Sequence, residues 1–141
     1  MTKTRSFALV AVLCALPLAL PASGLGAGAK FKGKTGQNRP VTFKLAAGKV
    51  KNFEAGVNVF CIGQGIEFNA AIPPKAMKVK KNGKFSYKGR DKTDGANIEI
   101  RGKIFGSTAT GKVSMTYTTY DSSSRLFVGC SGEAKYTAKK K

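Results

Sequence analysis

The sequence predicts an all-β domain, an antiparallel sandwich or small barrel of about eight to ten short strands. Three observations point there. Apolar and polar residues alternate with period two through most of the chain, Gly, Pro and Asn turn signals recur at short intervals, and no apolar stripe at helical spacing occurs beyond the first 29 residues.

The clearest alternation runs from Ala96 to Tyr117. Ile98, Ile100 and Ile104 alternate with Glu99, Arg101 and Lys103, and Ala109, Val113, Met115 and Tyr117 alternate with hydroxyls and Lys112. With Gly106-Ser107 as a two-residue turn, the register sets Ile104 opposite Ala109, Gly102 opposite Gly111, Ile100 opposite Val113 and Ile98 opposite Met115. The same register opposes Arg101 and Lys112, a like-charge pair that a diagonal Glu99 would offset.

In chain order, Lys30, Lys32 and Lys34 share one face of an extended segment, the pattern of an edge strand guarded by Lys. A turn at 36–40 leads to an alternating strand, Val41 to Leu45, and Ala47-Gly48 returns the chain into Val50 to Phe53. Glu54-Ala55-Gly56 reads as a break before Val57 to Cys61, followed by a Gly63-Gln64-Gly65 loop and a short strand, Ile66 to Phe68. Pro73-Pro74 forbids regular pairing. Met77 and Val79 lead to an Asn82-Gly83 turn that returns through Phe85 and Tyr87. After the polar segment 88–97 and the hairpin, Asp121 to Ser124 is a loop, Leu126 to Ala138 is extended, and Lys139 to Lys141 is a frayed, disordered tail.

Residues 1–29 read as an export signal: Lys3 and Arg5, an apolar run Phe7 to Leu20, then Ala27-Gly28-Ala29 before cleavage at Lys30. The run is shorter than the roughly 20 residues a membrane anchor needs. Leu13 stands where a lipid-modified Cys14 would require a small residue. The secreted domain is then residues 30–141, extracellular or in the cell envelope, with no transmembrane segment of its own. In an oxidising compartment Cys61 and Cys130, both at inward parity, are expected to form a disulfide. A reactive thiol pair would want closer spacing and a His.

Formal net charge is +18, and removing Lys3 and Arg5 leaves 23 basic against 7 acidic residues, +16. Nineteen of those 23 are Lys, which favours diffuse attraction to polyanions over the bidentate contacts that Arg makes. The residues placed to meet a polyanion are Lys30, Lys32 and Lys34, with Lys78, Lys80, Lys81, Lys84 and Lys88 around the Asn82-Gly83 turn. Phe85 and Tyr87, interleaved with the second group, could stack nucleic-acid bases, but their parity directs them into the core.

The chain has no His, which removes Ser-His-Asp and Cys-His sites and His-ligated zinc. The two Cys of residues 30–141 are too few for structural zinc. The acids Glu54, Glu67, Asp91, Asp94, Glu99, Asp121 and Glu133 are scattered, so a hydrolase would need two of them to converge in space. Asp91 to Asn97 has the oxygen-rich composition of a calcium loop but not EF-hand spacing, and a turn explains it. Gly63 and Gly65 lack the rest of a dinucleotide fingerprint.

Phe31-x-Gly33-x-Thr35-x-Gln37, Gly83-x-Phe85, Ile100-x-Gly102-x-Ile104 with Gly111, and Cys130-Ser131-Gly132 with Tyr136-Thr137-Ala138 together resemble small secreted bacterial β-proteins of unassigned function with one disulfide. The resemblance implies an exported β-domain and brings no catalytic residues or cofactor. The expectation is a non-enzymatic, cofactor-free binding domain. Its cationic exterior would hold it at an anionic cell-wall polymer, polysaccharide or membrane surface, with nucleic acid not its physiological partner. A small-ligand barrel, with a pocket beside Gly102 and Gly111, is the alternative, and a carboxylate hydrolase the more distant one.

Overall fold

A computed structural model describes residues 28–141; the expected signal, apart from Gly28 and Ala29, lies outside the described residues. These residues form nine strands: β1 (Ala29–Thr35), β2 (Pro40–Ala46), β3 (Lys49–Cys61), β4 (Gly65–Ala71), β5 (Met77–Lys78), β6 (Lys84–Arg90), β7 (Asn97–Phe105), β8 (Thr108–Asp121) and β9 (Leu126–Lys140). All pairings are antiparallel in one sheet ordered β4-β3-β2-β1-β9-β8-β7-β6, with β5 on β3 and a second pairing of β3 with β9. The all-β antiparallel expectation is met, but the architecture is neither a two-sheet sandwich nor a closed barrel. Strands of 13, 14 and 15 residues, β3, β8 and β9, run the length of the domain and leave no gap at which the sheet could split.

The sheet coils instead, closing one face around an aromatic stack. Phe43 lies 4.8 Å from Phe31, 5.8 Å from Phe53 and 6.0 Å from Phe85, while Phe53 meets Tyr136 at 5.7 Å. Phe85 comes from the far edge, so the stack ties β2 to β6 across the coil. Tyr136 is buried, and burial pushes its hydroxyl above the usual phenol range.

The hairpin of β7 and β8 has the expected register at all four inward pairs, with Gly106 at φ 58° in the turn. Arg101 does oppose Lys112, but the charges resolve differently. Glu99 pairs with Arg101 on its own strand, and Lys112 takes Glu133 from β9 at 2.7 Å. A Cβ on Gly102 would meet Phe85 and Tyr136 at 2.3 Å, so the space these glycines open is filled by two rings and holds no pocket.

Several expectations give way. β1 is no edge strand: it lies between β2 and the C-terminal half of β9. That pairing also orders Lys139 and Lys140, opposite Lys32 and Phe31, where a frayed tail was expected. The anticipated break at Glu54-Ala55-Gly56 is continuous strand, with Ala55 paired to Val41 on β2 at one edge of β3 and to Ala71 on β4 at the other. A bulge near Asn52, φ 50°, bends β3 just before it.

The β1–β2 hairpin enters the sheet as a wedge between β3 and β9. At its tip, the Gln37 side chain accepts from Asn58 N at 2.7 Å and donates to Glu133 O at 3.1 Å, bridging both flanks. Beyond the tip, β3 and β9 meet directly. There Cys61 opposes Cys130, and the two form the expected disulfide.

The two edges of the coil approach at one point. Buried Asp91, just after β6, accepts from Ile72 N, just after β4, and from Thr93 N, while Lys92 N donates to Ile72 O at 2.8 Å. Asp91→Ala leaves the Ile72 N–H without its acceptor, and a urea titration should show a loss of about 1–3 kcal/mol. An unchanged midpoint would mean that the latch adds nothing to the fold.

Candidate polyanion-binding face

Alternation in β1 buries Phe31 and Thr35 and turns Lys30, Lys32 and Lys34 to the outer face of the sheet. A strand in mid-sheet has neighbours on both sides, about 4.8 Å away. Lys30 faces Lys44, and Lys44 faces Lys51 in turn; Lys32 faces Lys139. Farther across, Lys135 faces Lys112, Lys112 faces Arg101, and Lys103 faces Lys84. Lys49 faces Lys78.

Seven like-charge pairs therefore sit directly opposite one another on an exposed surface, each destabilising at low salt. Among the described residues only two ion pairs form, those of Arg101 with Glu99 and Lys112 with Glu133. The rest of the ladder has no carboxylate to neutralise it.

Of the eight lysines singled out from the sequence, Lys30, Lys32 and Lys34 lie at mid-sheet, and Lys78 and Lys84 belong to opposed pairs. Lys80 and Lys81 flank the β5–β6 turn, and Lys88 stands opposite Glu99. A row from Lys34 through Thr137, Thr110 and Lys103 to Lys84 joins the two groups on one outer face. Sequence reasoning missed Lys44, Lys49, Lys51, Lys103, Lys135 and Lys139, and had Lys112 only as the residue opposite Arg101. Each has outward parity in its strand, which was visible, but their alignment depends on which strands pair. Phe85 is buried, and Tyr87 packs half-buried against the core with its hydroxyl donating to Arg90 O at 2.9 Å.

The carboxylates do other work. Asp94 accepts from Ala96 N and Asn69 Nδ2, so that with Asp91 it closes the 91–96 turn. Asp121 accepts from the Ser124 hydroxyl and Ser123 N, and these bonds hold it below the usual carboxylate range. Glu99 and Glu133 flank Ser114 in a shallow outer depression, each bound by a cation. Among the described residues no three His, Cys, Asp or Glu side chains gather as a metal site, and no helix is long and apolar enough to cross a membrane.

A second surface lies at the disulfide end. Phe60, Ile62, Ile66 and Phe68 are each more than half exposed. Phe60 faces Ile66 across β3 and β4, and the Arg39 guanidinium lies 4.7 Å from the centre of the Phe68 ring. Tyr120 and Phe127, 5.4 Å apart, continue the apolar character onto β8 and β9. The available signal was Ile66 and Phe68 sharing a parity that the core does not use. No protein-family model matches this chain, and no curated protein matches it in sequence.

Proposed function

We propose that the chain is an exported, non-enzymatic binding domain whose lysine ladders hold it on an anionic polymer or surface of the cell envelope. One observation carries this reading: seven like-charge pairs stand directly opposed on the outer face, and in five of them neither partner is held by a carboxylate. A site that costs stability and breaks the local rule for cross-strand pairs is where function is expected. An array of ammonium groups repeating at strand spacing suits a flexible chain of negative charges, to which Lys supplies attraction without demanding one geometry. The disulfide fits an oxidising compartment. The leader at 1–29 and kinship with small exported bacterial β-proteins belong to the same proposal.

A DNA duplex serves as a model polyanion of known charge spacing. If about six of its phosphates are neutralised, affinity falls roughly 10³-fold between 50 and 200 mM salt, with no dependence on base sequence. Lys44→Glu, placed between Lys30 and Lys51, should flatten that salt slope. It should also raise stability by about 1 kcal/mol at low salt, since two repulsive pairs become attractive. Binding that survives high salt, or a Lys44→Glu chain that binds as well as the parent, would overturn the ladder as the site.

A further inference from the structure

We infer that the disulfide end of the sheet seats in an anionic lipid bilayer, its apolar side chains entering the acyl boundary and Arg39 and Arg125 meeting headgroup phosphates. No Lys occurs from 52 to 74 or from 113 to 134, so all nineteen lysines of residues 30–141 lie outside the two segments that build this end. Its outer face carries Phe60, Ile62, Ile66, Phe68, Tyr120 and Phe127 instead, from 52% to 77% exposed. Pairing puts them on one surface. Ile66 opposes Phe60, Phe60 opposes Ser131 and Phe127 opposes Tyr120. Phe127, Gly129 and Ser131 have one parity in β9, so the two groups join across Gly129, which adds no side chain. At about 200 Å² for a fully exposed large side chain, the six offer on the order of 700 Å². The largest apolar patch on a typical monomer is roughly 300–600 Å².

Shape and charge together name the occupant. A Cβ on Gly63, Gly65 or Gly129 would meet nothing within 4 Å, so open space surrounds the rings. A fluid bilayer takes up such projecting side chains without a complementary contour, and Tyr120 suits its interface. Arg39 Nε donates to Asn58 Oδ1 at 2.8 Å with the guanidinium over the Phe68 ring, and Arg125 stands exposed in the β8–β9 turn. Arg binds phosphate through two parallel hydrogen bonds. The acids of this end turn elsewhere: Glu67, opposite in parity to Ile66 and Phe68, accepts from Tyr117 Oη at 3.0 Å, and Asp121 is buried in its own turn. A second copy would bring its own Arg39 to this surface, whereas headgroup phosphates accept from it.

This contact is separate from the lysine ladders. Up β9 the first ladder residue is Lys135, six residues from Gly129 and about 20 Å away at strand rise. That exceeds the roughly 5–8 Å depth of one headgroup layer, so a seated tip leaves the ladder clear of it. The ladders draw the chain towards an anionic surface, and the tip holds it there.

The chain has no Trp, so Phe127→Trp and Phe105→Trp, the second at the far end of β8 where Phe105 is 80% exposed, each place a single indole probe. The protein is purified from the medium of a secreting host and mixed with vesicles of phosphatidylglycerol and phosphatidylcholine in equal parts. Emission from Phe127→Trp should shift to the blue and be quenched by acyl-brominated lipid, while that from Phe105→Trp stays unchanged. Phe127→Ser should weaken vesicle binding about tenfold or more and leave DNA binding as it was. Arg125→Gln should weaken vesicle binding about fivefold. Circular dichroism checks that each variant keeps the sheet. Equal responses from the two probes, vesicle binding indifferent to Phe127→Ser, or a blue shift that appears without lipid as protein concentration rises would each overturn the proposal. Vesicle binding lost in salt with no blue shift would also overturn it and leave the ladders as the lipid contact. A blue shift kept by a chain that fails to bind DNA would overturn the ladders alone.

Discussion

Phe43→Ala is expected to lower the free energy of unfolding by about 3–5 kcal/mol, the range for removing a buried aromatic side chain. Phe43 is 1% exposed and touches rings from three other strands: Phe31 on β1, Phe53 on β3 and Phe85 on β6. The contact with Phe85 matters most, because β2 and β6 are not neighbours in the sheet and meet only through the core. Truncation leaves a void between them that a strand held on both sides cannot collapse to fill. Against the 5–15 kcal/mol by which such domains are stable, this is a third or more of the whole. Chemical denaturation should show a lower midpoint with an unchanged slope. A loss below about 1 kcal/mol would mean that the site repacks and that the aromatic stack does not organise the coil.

Whatever depends on neighbours in sequence was legible. The β7–β8 register follows from a two-residue turn and an alternation that agree, and Cys61 and Cys130 follow from the parity of the valines beside them. What depends on distant pairing was not. Alternation makes Lys30, Lys32 and Lys34 point one way but does not say that β9, a hundred residues on, lies beside them; an interior strand read as an edge for that reason. The same ignorance turned Lys139 and Lys140 into a tail. Sandwich, barrel and coiled sheet share one period-two signature, and the choice among them rests on strand length and on the wedge of the first hairpin. The ladder is the sum of these non-local choices. Its lysines could be counted in the sequence, but their rows could not be.

Once the rows are placed, the distribution of stabilising contacts makes sense. Opposed lysines weaken the outer face along β1, β2 and β9, and the same strands carry on their inner face Phe31, Phe43 and Tyr136. Non-polar burial is insensitive to the salt and polyanion that modulate the outside. The sheet can therefore hold its cations in line with or without a bound partner.

Reduction of Cys61–Cys130 is expected to cost about 4 kcal/mol, the loop-entropy value for cysteines 69 residues apart. The position of the bridge says where the loss will be felt. Direct pairing of β3 with β9 is brief, Phe60 with Ser131 and Cys61 with Cys130, beyond the point where Gln37 spans the flanks. Without the covalent link, those two residue pairs and the hydrogen bond from Ile62 N to Gly129 O at 3.2 Å are left to join the strand ends, so their amides should exchange faster than those of the longer β7–β8 hairpin. The lysine rows are anchored elsewhere, by β1 between β2 and β9, and the reduced chain while folded should keep its polyanion affinity and salt slope. A Cys61→Ala, Cys130→Ala double variant should match the reduced chain, which separates loss of the bridge from any chemistry of free thiols. If reduction left the unfolding midpoint where it was, the bridge would not be limiting the unfolded ensemble. If it abolished binding below the unfolding transition, the ladders would depend on the disulfide end, and the separation of the two surfaces would fail.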